Sequence, residues 1–247
     1  MQFPVDSVLD RFQGWLLPPR CVLCNGPGQP RCLDLCVDCE AGFGSVPGAC
    51  PRCGLARTGL PRPGECDRCL VQPPPYDRCH AAFEYAFPVD GLVQSLKYGG
   101  RLSVARVLGT LLAGSIEQRG LHLDVDVLLP VPLHASRHAE RGFNQSFEVA
   151  RWVARSVHRP CDPRALVRTR PTAPQVGLPL AERATNLAGA FAVVGDIVGQ
   201  RVVLIDDVVT TDSTVREASL ALRRAGAFSV DVWCVARTAP GSGYTAA

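Results

Sequence analysis

Two neighbouring carboxylates, Asp206 and Asp207, follow the apolar run Val202-Val203-Leu204-Ile205 and precede a loop rich in hydroxyls, Thr210, Thr211, Asp212, Ser213 and Thr214. Two acids at one spot repel a phosphate, yet they accept hydrogen bonds well from adjacent hydroxyls of a neutral polyol. The amides of such a loop and the N-terminus of a following helix direct positive dipoles at an anion, and the hydroxyls add donors. The combination points to a ribose 5-phosphate site. An ordinary strand-to-helix turn with an acidic cap would need few of these residues.

A second chemistry lies upstream. Cys21/Cys24, Cys36/Cys39, Cys50/Cys53 and Cys66/Cys69 form four pairs of one spacing. A Cys-x-x-Cys turn sets two thiolates on one side of a tight knuckle, and two knuckles complete a tetrahedral zinc site. Sequential pairing gives Cys21, Cys24, Cys36 and Cys39 one Zn²⁺ and Cys50, Cys53, Cys66 and Cys69 another; an interleaved cross-brace satisfies the same spacing. Disulfides or a thiol redox centre compete with zinc for the same cysteines. Cys32 and Cys79 are spare thiols or stand-in ligands. Four thiolates leave no open position for water, so such sites are structural. Basic and acidic residues nearly balance in this segment, so charge does not favour direct DNA contact there.

A third group surrounds Leu128-Leu129-Pro130-Val131-Pro132-Leu133-His134, where Arg137, His138 and Arg141 precede Gly142-Phe143-Asn144-Gln145. Arginines after a strand suit a polyanion. Arg141 is read either as a pyrophosphate contact or as a solvated surface residue, and Asn144 as a helix cap. Thr172-Ala173-Pro174-Gln175-Val176-Gly177-Leu178, with Arg183 and Asn186, has the length and polarity of a lid that excludes water. Lys97-Tyr98 is a further candidate contact; a lysine at a helix end is otherwise solvated.

The elements that must position these groups follow from periodicity. Strands are predicted over 80–87, 125–131, 190–194, 201–206 and 228–236, and helices over 6–17, 89–98, 102–118, 145–157 and 214–225. Residues 169–189 form a long polar loop. Strands alternating with helices, the buried ones continuously apolar, imply a parallel sheet covered on both faces. Ten of the twelve cysteines fall between Cys21 and Cys79, a stretch dense in Gly and Pro that lacks apolar runs and needs a constraint other than a core. Pro73-Pro74-Pro75 reads as a stiff linker, which divides the 247 residues into 1–75 and 76–247. A net charge of +3 is too small to indicate nucleic acid, and no stretch approaches the roughly 20 apolar residues that cross a bilayer. The first residues lack the basic start and apolar run of a signal peptide. A cytoplasmic location is therefore expected, where cysteines stay reduced and tend to bind metal.

Four apolar residues, two acids, two variable residues and a Thr-Thr loop resemble the signature of the type I phosphoribosyltransferases. That resemblance implies that Asp206 and Asp207 hold the ribose hydroxyls while Thr210, Thr211, Asp212, Ser213 and Thr214 wrap the 5-phosphate. Glycine is usual in that family where this chain has Asp212, whose charge weakens phosphate binding unless it points away. Taken in order, "LKYGG", "PVPLH…RGFNQ", "PQVGL…ER..N", "DDVVTTDST" and the four cysteine pairs resemble the ComF/ComFC family of competence-associated proteins. The resemblance implies an α/β fold, a type I phosphoribosyltransferase-like parallel sheet flanked by helices with an N-terminal double zinc ribbon. It also implies phosphoribosyl pyrophosphate binding with Mg²⁺. The implied role is in natural transformation, handling imported single-stranded DNA beside competence DNA-import proteins.

Two classes of function fit. An enzyme would displace pyrophosphate from the anomeric carbon through an oxocarbenium-like transition state, with arginines at the leaving group. A binding protein would use the same pocket to read a phosphorylated ribose or a strand end. Aromatic platforms for single strands are few and scattered here, and no acceptor pocket is legible. A purine-salvage role leaves the cysteine module unexplained.

Overall fold

The computed structural model describes residues 18–29, 34–46, 48–57, 64–170 and 189–239. The predicted helix over 6–17 and most of the predicted lid, with Thr172, Gln175, Arg183 and Asn186, lie outside the described residues, as does Cys32.

Four apolar segments make one sheet: β1 (Arg78–Glu84), β2 (Val127–Pro130), β5 (Arg201–Val209) and β6 (Ser229–Arg237). Their order is β1-β6-β5-β2, and every neighbouring pair is parallel. The two central strands alternate between two cores, as a two-residue period dictates. Val202, Leu204, Val230, Val232 and Cys234 face one core, which also holds Tyr76 and the inner stripe Val215, Ala218 and Leu222. Val203, Ile205, Trp233 and Val235 face the other. That second layer is built by helices α3 (Val89–Gly99), α4 (Leu102–Gln118) and α6 (Gln145–Ser156). Helix α7 (Ser213–Arg224) covers the opposite face with Val215, Ala218 and Leu222. The expected parallel sheet with helices on both faces is the observed one.

Two details differ from the periodicity reading. The predicted strand over 190–194 forms β4 (Phe191–Val193), but it pairs antiparallel with β3 (Leu166–Arg168) in a separate two-stranded unit. Its short length carries no signal of its partner, and β3 is too short to register as a period. Between β2 and α6 a short helix, α5 (Ala135–Arg141), also escapes the reading. Its local signals are a His134 cap, whose Nδ1 accepts from the Ser136 amide at 3.2 Å, and a left-handed Gly142 at its end.

Helix α6 approaches α4 closely because of Gly109. A Cβ at that position would sit 2.7 Å from the Trp152 Cβ, so any larger residue would force the helices apart. This contact fixes the N-terminus of α6 over the sheet, where Asn144 caps it through hydrogen bonds from the Ser146 and Phe147 amides.

The cysteine module is built from knuckles and two one-turn helices, α1 (Val37–Ala41) and α2 (Asp67–Val71). It has almost no core of its own. Leu35 and Cys21 pack against Val107 of α4, Asp34 pairs with Arg106, and Phe43 meets Phe83 edge-on at 5.1 Å. The proline linker leads into Tyr76, which is fully buried.

Candidate functional site

Asp206 and Asp207 stand at the carboxyl end of β5, the point where parallel sheets receive ligands. Both are buried among charges and donors. Ser146 Oγ donates to Asp206 Oδ1 at 2.9 Å, and the Asp207 amide donates to the same oxygen at 2.9 Å. Burial first, then the negative charge of Asp207, pushes the Asp206 carboxyl up to about 8. Lys97 Nζ lies 2.6 Å from Asp207 Oδ2. Burial works against the Lys97 charge, but Asp207 and then Asp206 outweigh it and raise its pKa. The lone lysine of the chain is thus an internal counter-ion at the head of the site.

A small concavity is lined by Asp206 and residues 208–215. Thr211 and Ser213 hydroxyls lie 3.1 Å apart, and Ser213 opens α7. Asp212 has φ +60°, a left-handed conformation that Asp tolerates better than most residues. Its carboxylate does not cap α7. It receives Arg68 Nη2 at 2.8 Å and 3.1 Å on its two oxygens and the Tyr76 hydroxyl at 3.2 Å. Arg237, also buried, lies 3.6 Å away and donates from Nη1 to the Thr210 carbonyl at 3.0 Å. Burial raises the Tyr76 pKa and keeps that hydroxyl a donor. Two guanidinium groups against one carboxylate leave a net positive charge beneath the loop.

The structure therefore brings Asp206, Asp207, Thr210, Thr211, Asp212, Ser213 and Thr214 to one place, with Lys97 beside them. Arg141 belongs to the rim: its guanidinium lies 5.6 Å from the Tyr98 ring centroid and donates to Gln145 Oε1 at 2.7 Å. The positive charge of Arg141 is felt at Lys97. Arg168 on β3 is half-buried against Phe191. Burial and then nearby Arg137 depress its pKa, while the charge of Asp206 opposes them.

Sequence reasoning did not single out Ser146, Arg68, Tyr76, Arg168 or Arg237. Arg237 had a usable signal, since a charge ending the apolar strand of β6 must find a buried partner. Arg68 had none, because the middle positions of a Cys-x-x-Cys knuckle are usually solvated.

The eight paired cysteines fall into two groups, Cys21, Cys24, Cys36 and Cys39, and Cys50, Cys53, Cys66 and Cys69, with all sulfurs of a group within 4.8 Å of one another. Pairing is therefore sequential and not cross-braced. Zinc–sulfur bonds of about 2.3 Å in a tetrahedron set neighbouring sulfurs about 3.8 Å apart. Cys24 and Cys36 sulfurs are 3.7 Å apart, as are those of Cys53 and Cys66. Backbone amides donate to sulfur as well, Cys39 to Cys36 at 3.4 Å and Cys66 to Cys50 at 3.3 Å. In the first group burial opposes a Cys21 thiolate, yet the amides of Cys24, Cys36 and Leu23 bring its pKa down to about 6. Its neighbour Cys39 is pushed up, chiefly by Cys36. Both groups fit a structural metal ion.

Among known proteins, the chain is 38% identical over 226 residues to the DNA utilization protein YhgH of Shigella flexneri, covering 90% of this chain and 98% of that one. It is 37% identical over 228 residues to the protein of the same name in Salmonella typhimurium, with 90% and 98% covered. Competence protein F of Haemophilus influenzae is 31% identical over 224 residues, with 88% and 96% covered. No family model matches. Solved structures overlap only in part. A phosphoribosylpyrophosphate synthetase from Mycobacterium smegmatis is 18% identical at a TM-score of 0.34, covering 53% of this chain and 33% of that one. A purine phosphoribosyltransferase from Pyrococcus horikoshii is 16% identical at 0.32, covering 53% and 70%. Kinship is carried by the full-length sequence relatives, and the chain belongs to the ComF family of competence-associated and DNA utilization proteins.

Proposed function

We propose that the chain binds phosphoribosyl pyrophosphate or a related ribose phosphate in the concavity at the end of β5. It would do so in the cytoplasm in service of natural transformation, handling imported single-stranded DNA with competence DNA-import proteins. The names of the relatives, competence and DNA utilization, support the biological half. One observation carries the chemical half: an acid pair fit to hold a sugar diol is followed at once by a hydroxyl-lined loop whose only charge, Asp212, is turned into an ion-pair network beneath it. Ribose hydroxyls would donate to Asp206 and Asp207, and the 5-phosphate would take amides and hydroxyls of Thr210, Thr211, Ser213 and Thr214. Arg141, with Arg137 and Arg168, would meet a pyrophosphate. Mg²⁺ would arrive with that pyrophosphate, since its hard-oxygen preference suits phosphate oxygens and carboxylates. Residues 1–75 would be a module folded around two structural Zn²⁺ ions, and 76–247 would carry the pocket.

Titration calorimetry with phosphoribosyl pyrophosphate and ribose 5-phosphate, with and without Mg²⁺, tests this reading. Asp206→Ala with Asp207→Ala should abolish measurable binding; equal heats in the two proteins would refute the site. A catalytic reading is favoured by Arg168, whose charge interacts with Asp206, and by Arg141 at the rim. An acceptor nucleophile would attack the anomeric carbon as its bond to pyrophosphate breaks, and pyrophosphate would leave with the electron pair. Pyrophosphate release with nucleobases or DNA as acceptors reads that step out directly.

A further inference from the structure

Asp212 is an odd residue at the first turn of a helix that faces an anion site. Asp is among the best N-cap residues, because its carboxylate accepts the free amides of the first turn. A phosphate bound at this loop needs the same amides. Asp212 and the ligand would therefore compete for one set of donors, unless the carboxylate is held elsewhere. In this chain it is held elsewhere: with a left-handed backbone (φ +60°) Asp212 makes no side-chain cap bond, both its oxygens accept from Arg68, one also from Tyr76, and Arg237 lies 3.6 Å away.

Arg68 does not come from the sheet domain. It sits in α2, between Cys66 and Cys69, two sulfur ligands of the second cysteine group. Sequence separation between Arg68 and Asp212 is 144 positions, so nothing local keeps them together. The five-residue helix that carries Arg68 contributes only Cys69 to the buried interior. Its place is set by the cysteine group itself, Cys50, Cys53, Leu55 and Cys69 forming one small buried cluster. Gly54 closes the contact to the sheet: it has φ +71°, and a Cβ there would sit 3.0 Å from the Cys79 carbonyl of β1. The metal group, the Arg68 guanidinium and the Asp212 carboxylate thus form a continuous mechanical path to the 206–214 loop.

We propose that metal in the second cysteine group sets the phosphate affinity of the pocket by fixing Arg68, which together with Tyr76 and Arg237 neutralises the Asp212 carboxylate and holds it away from the N-terminus of α7. Arg68 is a positioning residue and never touches the ligand. Loss of the metal would free the knuckle and take from Asp212 its bidentate partner, leaving the carboxylate to Tyr76 and Arg237 alone and its charge less neutralised beside the anion site. The first cysteine group has no such path; its contacts run to α4 and β1 through Val107, Arg106 and Phe83. This regulation rests on the ribose-phosphate reading above.

The test uses the full-length, zinc-loaded chain with metal content measured for each variant. Arg68→Ala should keep both metals, weaken ribose 5-phosphate binding about tenfold or more, and speed amide exchange at residues 208–212. Asp212→Gly should bind at least as tightly as wild type and make the chain indifferent to Arg68→Ala, since the competing carboxylate is gone. Asp212→Asn serves the same purpose if glycine there destabilises the fold. Cys69→Ser should reproduce Arg68→Ala, whereas Cys39→Ser should leave the affinity of the folded protein and the exchange of 208–212 as in wild type. Unchanged affinity and exchange in Arg68→Ala, or an equal loss in the Asp212→Gly background, would overturn the proposal. A wild-type protein blind to ribose 5-phosphate would sink the pocket reading alone, and the exchange rates of Arg68→Ala and Cys69→Ser would still decide the coupling.

Discussion

The first cysteine group leans on the sheet domain through Leu35, Val107, Leu23 and Phe43 with one ion pair, Asp34 to Arg106, far from the pocket; around the second, Val46, Ala49 and Ala56 pack against the core, and Arg68 and Tyr76 reach the Asp212 carboxylate. Both groups gather four sulfurs from two Cys-x-x-Cys knuckles, and each has an amide-to-sulfur bond, within one knuckle for Cys39 to Cys36 and between knuckles for Cys66 to Cys50. What differs is the kind of surface each presents. Apolar contact is non-directional, and the one ion pair of the first module lands on α4, so it can stabilise that helix without dictating the orientation of a polar group at the pocket. Charge-assisted hydrogen bonds are directional and tie one donor to one acceptor. A module docked that way controls the aim of a particular side chain, here Asp212 at the mouth of the pocket. Two four-sulfur groups of one chemistry would therefore serve stability in one place and geometry in the other.

The sharpest way to break this contrast is to remove a ligand from each group. Cys36→Ser and Cys66→Ser should each cost one metal ion, a loss set against apparent zinc-site free energies of roughly 10–16 kcal/mol. Thermal unfolding should register both, while calorimetry on the folded fraction should show lost ribose-phosphate affinity only for Cys66→Ser. Equal affinity losses would erase the distinction.

A core substitution probes the apolar side alone. Leu35→Ala removes a fully buried side chain at the contact with α4 and should destabilise the fold by about 2–5 kcal/mol in denaturant unfolding. Ligand affinity should stay within about twofold, because none of the residues Leu35 touches reaches the pocket. Arg106→Ala, which leaves Asp34 without its partner, should cost less, about 1–3 kcal/mol, again with affinity intact.

A further effect concerns the acid pair and is read against pH. The Asp206 carboxyl is raised from 3.8 to about 8 by burial and by Asp207, so between those values the folded chain holds a proton that the unfolded chain has released. Its contribution to stability falls as pH rises through that window and is level above it. Asp206→Asn should flatten that slope in unfolding measured from about pH 5 to pH 8. Persistence of the slope in the variant would assign it to other groups.

Much of the frame was legible beforehand. Strands β5 and β6 and helices α4 and α7 were marked by unbroken apolar runs or clean helical stripes, because parallel strands buried on both faces leave no room for alternation. Asp206 and Asp207 announced themselves by standing at the end of such a run. Strand β3 and the pairing of β4 were not legible, since three residues carry no period and their hydrogen-bond partners lie far along the chain. The sequence leaves Arg141 either a pyrophosphate contact or a solvated surface residue; its guanidinium rests over Tyr98 at the rim and donates to Gln145.

By itself the sequence determined which residues bear charge or sulfur and how they are spaced: four knuckles, an acid pair, a hydroxyl-rich loop and the lone Lys97. Spacing within a knuckle or a turn is a local property, set by bond geometry over a few residues, and needs no fold to be read. Only the tertiary structure decided which knuckles share a metal site, where Lys97 finds its counter-ion, and which way the Asp212 carboxylate points. Those outcomes join positions as far apart as 60 residues for Ser146 and Asp206 and 144 for Arg68 and Asp212. No local rule relates such positions; the packing of β5, α7 and the second cysteine group brings them within hydrogen-bonding reach.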